Sequence, residues 1–231
     1  MQQLNDMKPI DNFIKYDISC FSLLNDNLSF MSNMSKNIKI IAGKHRGTAL
    51  LAPDGQNTRP TTGRIAENLF NILQHHKFKE QDFLFSQHHI LDLCAGSGRL
   101  GLESLSRGGL SAVFMDTDNH ARHAIKCNIQ KMDMMHKTDI LSYNTTQLPN
   151  AQTLKDYYKK FSLIFCDAPY DSNIGINSIL SAFEKNWLCD NALIILETNK
   201  QHEHIEFSFA KNYLTKSYGI TNLHFLHKIL S

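Results

Sequence analysis

Apolar positions recur along the chain in two rhythms, and the alternation between them lays out the fold. Four short unbroken apolar runs, HILDL (His89–Leu93), AVFMD (Ala112–Asp116), SLIFCD (Ser162–Asp167) and ALIILE (Ala192–Glu197), are too short for helices and read as strands buried on both faces. Between them the apolar residues return every three or four positions. RPTTGRIAENLFNILQ reads as a helix that Pro60 opens, Thr61 or Thr62 caps, and Ile65, Leu69, Ile72 and Leu73 line on one face. SGRLGLESLSRG is a helix stopped by Gly108. DNHARHAIKCNIQKM is a helix capped by Asp118, with Ala121, Ile125, Ile129 and Met132 facing inward. YLTKSYGITNLHFLHKIL gives two strands around a turn at Gly219. Strand alternating with helix predicts an α/β fold: a parallel Rossmann-like sheet covered by helices on both faces, closed by an antiparallel edge hairpin.

Ahead of this repeat, NIKIIAGKHRGTALLAPDG places two apolar stretches around a glycine-containing turn, Gly43 to Gly47, and predicts a small β-hairpin. The first 36 residues are rich in Asn, Ser and Met and carry no sustained period, so they are expected to form a poorly ordered tail. Met31 and Met34 are alternative start positions. The expected division is a tail over 1–36, a hairpin over 37–60 and the main domain over 61–231.

Composition narrows the setting. The chain of 231 residues is 42% hydrophobic, yet no apolar run approaches the roughly 18 residues of a membrane span. The N-terminal residues lack the apolar core of a secretory signal. Five cysteines, Cys20, Cys94, Cys127, Cys166 and Cys189, are odd in number and form no C-x-x-C pair, which points to a reduced, cytoplasmic protein without a disulfide frame or zinc site. The histidines His75, His76, His88 and His89 fall in adjacent pairs that point apart, so no metal is expected. Net charge is only +2, but Lys36, Lys39, Lys44, Arg46, Arg59 and Arg64 cluster with His45 against a single acid, Asp54. A patch of that kind suits a polyanion such as nucleic acid; a solvated face would look the same.

Two stretches carry the candidate chemistry. LDLCAGSGRLGLE follows a strand and opens a helix, with Gly96, Gly98 and Gly101 spaced G-x-G-x-x-G and Asp116 twenty residues beyond Gly96. That pattern fits a nucleotide whose ribose the acid holds. Asp92, inside the strand end, would repel a pyrophosphate but can serve the ammonium region of S-adenosylmethionine. FCDAPY supplies the second stretch: Asp167, Ala168, Pro169 and Tyr170 at the end of a buried strand present an acid, a carbonyl, a fixed turn and an aromatic face. A dehydrogenase has no use for this loop and an amino-group methyltransferase does, so S-adenosylmethionine is favoured over NAD. The expected cofactor set is Asp92, Ala95, Gly96, Ser97, Gly98, Asp116 and Thr117, with Asp139 at the third strand's end accepting from the adenine amine or serving as a turn residue. Cys94, Cys166 and Trp187 read as packing.

The motifs IIAGKHRG, RPTTGRIAENLFNIL, ILDLCAGSGRLGLESLSRGG, FCDAPY and the late Tyr218-Gly219 occur in order, and together they resemble the RsmD-type 16S ribosomal RNA guanine-N2 methyltransferases of bacteria. The resemblance runs from about Ile38 to Ile229. It implies a seven-stranded class I methyltransferase sheet preceded by the hairpin, and methyl transfer from S-adenosylmethionine to a guanine N2 amine of small-subunit ribosomal RNA, free or within an assembling 30S particle. A monomer is expected. Lys44, Arg46, Arg59 and Arg64 would meet RNA phosphates; for Arg64, an ion pair with Glu67 on the helix surface reads equally well. Two positions depart from the family: Ala168, where proline is usual, and Cys94, where an aromatic is usual. Methylation of adenine N6 in DNA or of a protein amide is the alternative within enzymes, and those enzymes often carry Asn where this chain has Asp167. A NAD-linked oxidoreductase is the alternative outside the methyltransferases.

Overall fold

The structure is a computed structural model that describes residues 34–53, 60–76, 78, 82–153, 160–169, 173–202 and 205–229. Residues 1–33 of the predicted tail, Arg59, Tyr170 and the side chains of Thr61 and Thr62 lie outside what is described, whereas Met34–Lys36, assigned to the tail, form the start of a strand, and Thr61 and Thr62 lie within the helix that Pro60 opens rather than before it. Two strands, β1 (Met34–Lys39) and β2 (Ala49–Pro53), pair antiparallel as the predicted hairpin. Helix α1 (Pro60–His75) leads into a seven-stranded sheet. Its elements are β3 (His89–Leu93), α2 (Arg99–Ser106), β4 (Ser111–Met115), α3 (Asn119–Lys131), β5 (Thr138–Leu141), β6 (Phe161–Asp167), α4 (Ile174–Glu184), β7 (Leu188–Asn199), β8 (Ala210–Tyr218) and β9 (Thr221–Lys228). The strand order is β5-β4-β3-β6-β7-β9-β8, with the first five parallel and β9 antiparallel to both its neighbours. No helix among the described residues is long and apolar enough to cross a membrane.

The near-continuous apolar strands make two cores because successive side chains face opposite sides. Ile90, Leu163, Phe165, Leu193 and Ile195 join α1, α2 and α3 residues such as Phe70, Leu102 and Ile125 on one face. Leu91, Leu93, Ile164, Cys166, Ile194 and Leu196 join α4 on the other, with Trp187, Phe207 and Phe209 filling space there. Helices therefore cover both faces, three against one, and aromatic residues and short 3₁₀ turns supply the missing cover. Trp187 is fully buried and donates its indole N–H to the Pro149 carbonyl at 2.9 Å, the packing role its sequence context predicts.

Strand β7 begins four residues before the predicted Ala192. A bulge opposite Phe161 and Leu163 absorbs the left-handed Asn191 (φ 66°), so a polar segment resembling a turn stays in the ladder. Near the other end of β7, the Thr198 hydroxyl lies 2.9 Å from His224 Nε2, and Thr215 bonds the other ring nitrogen at 3.1 Å. Burial pushes the His224 pKa down to about 4, and that of His88, stacked on Phe83, down to about 4 as well. In the unfolded chain both rings take up protons near pH 6.5, whereas in the fold they stay neutral until about pH 4. Their stabilising effect is complete above pH 6.5 and is lost as pH falls toward 4. Each contributes a slope of at most about 1.4 kcal/mol per pH unit, less for the half-exposed His88. Melting temperature is thus expected to fall between pH 7 and 4.5, and His224→Gln to flatten that fall in a pH-resolved thermal scan.

Candidate active site

Open parallel sheets bind ligands at the carboxyl ends of strands, where the chain order reverses. Here that point is β3, which pairs β4 on one side and β6 on the other. The chain leaves β3 through Cys94, held in the left-handed region at φ 58°, and turns through Gly96 (φ 55°) and Gly98 (φ 73°) into α2. Gly98 N–H donates to the Ala95 carbonyl at 2.7 Å and closes the loop. The third glycine serves packing: a Cβ on Gly101 would stand 2.4 Å from the Phe114 ring, so only glycine lets α2 lie this close to β4.

Three polar side chains fix the loop. Asp116, immediately beyond β4, accepts from Gly96 N–H through Oδ2 and from Asp118 N–H through Oδ1, both at 2.9 Å. Asp118 in turn caps α3, as the sequence predicts, by accepting from His120 N–H. Asp92 is buried below the loop, where Oδ2 accepts from Gly101 N–H at 2.9 Å, and burial raises its pKa well above the usual carboxylate range. Asn128 of α3 is fully buried and donates its amide to the Ser97 carbonyl at 3.0 Å. The Asp116 carboxylate beside the glycine turn makes a poor seat for a pyrophosphate and suits a ligand that offers hydroxyls. Thr117 follows on the exposed side.

Asp139 is misplaced in the sequence reading. Residues Met135–Lys137 form a 3₁₀ turn, so β5 starts at Thr138 and Asp139 is its second residue, paired with Val113 rather than at the carboxyl end. Burial raises its pKa. The carboxyl end of β5, beside the loop, is Leu141, so the assignment of Asp139 to the nucleotide base is withdrawn.

The FCDAPY stretch ends β6 one register step above Leu93, which pairs Cys166. Asp167 is exposed at the strand tip, Ala168 is buried, and Pro169 is exposed beyond it. Alternation puts Asp167 on the α2 and α3 side of the sheet and Ala168 on the α4 side. Gly175 of α4 closes on Ala168: a Cβ there would stand 3.6 Å from the alanine methyl and 3.0 Å from Leu196. The Cys166 thiol is pushed up by its contact with Cys94 and by burial, which fits an inert packing residue.

Sequence reading missed what joins the hairpin to this site. Glu103 on α2 is fully buried, and its carboxylate accepts from the backbone N–H groups of Ile41 at 2.7 Å and Ala42 at 3.0 Å, and from Arg107 Nε at 2.7 Å. Ser106 adds bonds to Ala42 and His45. Gly43 presses on the same helix end, since a Cβ would fall 1.9 Å from the Ser106 carbonyl oxygen. Asn128 clasps β2 as well, accepting from Leu51 N–H at 2.7 Å and donating to its carbonyl at 2.8 Å. Lys44 and Arg46 stand exposed at the hairpin tip, and Arg64 with Glu67 is exposed on α1. The hairpin is therefore locked to both helices that flank the glycine loop.

Asn128→Asp keeps the shape but turns two donated bonds into repulsion against the Leu51 and Ser97 carbonyls. Burying that mismatch is expected to cost about 2–4 kcal/mol. The expected readout is a melting temperature lowered by several degrees together with weakened ligand binding at the loop. A melting temperature within one degree of the parent would contradict the clasp.

The chain matches, over residues 38–227, the model of the family described as Conserved hypothetical protein 95. It is 33% identical over 174 residues to the ribosomal RNA small subunit methyltransferase D of Haemophilus influenzae, covering 73% of this chain and 82% of that protein. It is 32% identical over 160 residues to the protein of that name from Buchnera aphidicola, covering 69% of this chain and 75% of the other. Among solved structures, a putative methyltransferase from Escherichia coli superposes with a TM-score of 0.68 at 26% identity, spanning 84% of this chain and 99% of that one.

Proposed function

The chain belongs to the RsmD-type methyltransferase family, and from that premise we propose that it moves a methyl group from S-adenosylmethionine to the exocyclic N2 amine of a guanine in small-subunit ribosomal RNA. The observation that carries this reading is the placement of Asp167 at the tip of β6, one strand from a glycine loop that Asp116 and Asp92 line. The loop suits the donor: left-handed Gly96 and Gly98 keep side chains out of the crevice, and Asp116, which accepts from Gly96 N–H, would serve a ribose diol as acceptor. Each Asp116 oxygen takes one backbone N–H, which leaves lone pairs for two hydroxyls. When bound, the sulfonium supplies an electrophilic methyl group.

The protein's own groups do the rest. A guanine amine is a weak nucleophile because its lone pair is delocalised into the ring. Gripping its two N–H groups turns the lone pair toward the methyl. Asp167 accepts one N–H and the Ala168 main-chain carbonyl accepts the other. Positive charge appears on the amine as the methyl arrives, and the Asp167 carboxylate stabilises it and takes the surplus proton. Ala168 keeps the carbonyl that a proline would offer, and it is held extended by the proline after it. Tyr170 offers the base a stacking face. The target base must leave its stack to reach this loop, and Lys44, Arg46, Arg59 and Arg64 would hold the surrounding phosphates. The substrate is free RNA or an assembling 30S particle in the cytoplasm, met by a monomer.

A thermal-shift comparison checks the donor. S-adenosylmethionine and S-adenosylhomocysteine are expected to raise the melting temperature, while NAD leaves it unmoved. Stabilisation by NAD alone would reverse the assignment.

A further inference from the structure

A second carboxylate stands beside Asp167. Glu197 of β7 is its register partner on the neighbouring strand, and adjacent strands lie about 4.8 Å apart. Both residues share parity with the Phe165 and Ile195 row, so both side chains leave the same face of the sheet. Unlike Asp167, which ends its strand, Glu197 is held between two ladders, to β6 on one side and to Leu223 of β9 on the other. Thr198, next to it, is tied to the buried His224 on the opposite face. The Glu197 carboxylate is thus mounted on rigid backbone and is half-buried.

The chemistry of the bases gives this pair a meaning. The amines of adenine and cytosine each adjoin a ring nitrogen with a lone pair. Only in guanine does the amine adjoin a ring N–H. Two neighbouring carboxylates are therefore complementary to the guanine edge alone: Asp167 faces the N2 amine, and a carboxylate beside it meets N1–H. Against adenine or cytosine the same carboxylate would face a lone pair and repel it. We propose that Glu197 is a specificity-determining residue of this site and that it accepts the N1–H of the target guanine. The proposal rests on the guanine-N2 reading above and deepens it.

The test uses the full-length enzyme and target RNA carrying either guanine or 2-aminopurine at the modified position. 2-Aminopurine keeps the amine but has a lone pair at N1. Wild-type enzyme is expected to prefer guanine at least a hundredfold in kcat/KM. Glu197→Gln should narrow that preference at least tenfold, because its amide can donate to the 2-aminopurine N1. Binding of S-adenosylhomocysteine should stay within twofold of wild type. Equal transfer to guanine and 2-aminopurine by wild type, or an unchanged preference in an active Glu197→Gln enzyme, would overturn the role of Glu197. Equal transfer by the wild type overturns the proposal without recourse to the variant. No methyl on any guanine N2 would overturn the underlying reading instead.

Discussion

Asp167→Ala is expected to lower methyl transfer at least about a thousandfold, equivalent to roughly 4 kcal/mol of transition-state stabilisation. Two effects combine. The variant loses the acceptor that orients the amine, and it loses the negative charge beside the nitrogen that becomes cationic. Asp167→Asn keeps an acceptor oxygen and loses only the charge, so it should sit between, down about ten- to a hundredfold. The residue is exposed at the end of β6, and the glycine loop is held by Asp116, Asp92 and Asn128. Binding of S-adenosylhomocysteine, followed by calorimetry, should therefore stay within a few-fold of the parent for both variants. A large loss of that binding would move Asp167 from the methyl acceptor's site to the donor's.

Glu103→Ala should produce the largest loss of stability. It removes the fully buried carboxylate that two hairpin N–H groups and Arg107 share. Breaking a buried ion pair by deleting one partner costs about 3–5 kcal/mol. For a chain of this size that corresponds to a melting temperature lower by about ten degrees. Arg107, stacked 4.8 Å over the Phe70 ring, would keep its bond to Gln74 but lose its one carboxylate partner among the described residues. Glu103→Gln retains one acceptor and should lose less. The functional consequence is specific: the tip residues Lys44 and Arg46 are held by the Gly43 and Ser106 contacts that Glu103 backs up. An undocked hairpin should raise the KM for RNA more than it weakens donor binding.

What the sequence disclosed and what it hid divide along physical lines. The strands around Asp92, Asp116 and Asp167 were legible because a strand buried on both faces must be a short apolar run, and the acids that end such runs stand out. The glycine loop was legible because positive φ and close approach leave few residue choices, and the φ values at Gly96 and Gly98 and the packing at Gly101 accord with that. Glu103 and Asn128 were invisible. On a helix, a Glu four residues before an Arg looks like an exposed ion pair, and an Asn among polar neighbours looks solvated. Only the arrival of the hairpin, more than sixty residues away in sequence, buries them. A faint signal existed, since Asn128 adjoins the inward Ile129 and shares a face with Ala121, Ala124 and Ile125. Asp139 failed for a local reason: Met135–Lys137 form a 3₁₀ turn that delays β5 to Thr138 and leaves the acid near the strand's start rather than at its end. Glu197 was read only as the last letter of an apolar strand. Only the strand register sets it beside Asp167.

The central claim is the identity of the methylated atom, and one measurement addresses it. Unmodified small ribosomal subunits and naked ribosomal RNA are incubated with the purified enzyme and S-adenosylmethionine labelled in the methyl group. The RNA is then digested to nucleosides and separated by chromatography with mass detection. Label is expected in N2-methylguanosine alone, from one position. Label in N6-methyladenosine, in a ring-methylated base or in ribosomal protein, with none in N2-methylguanosine, would contradict it.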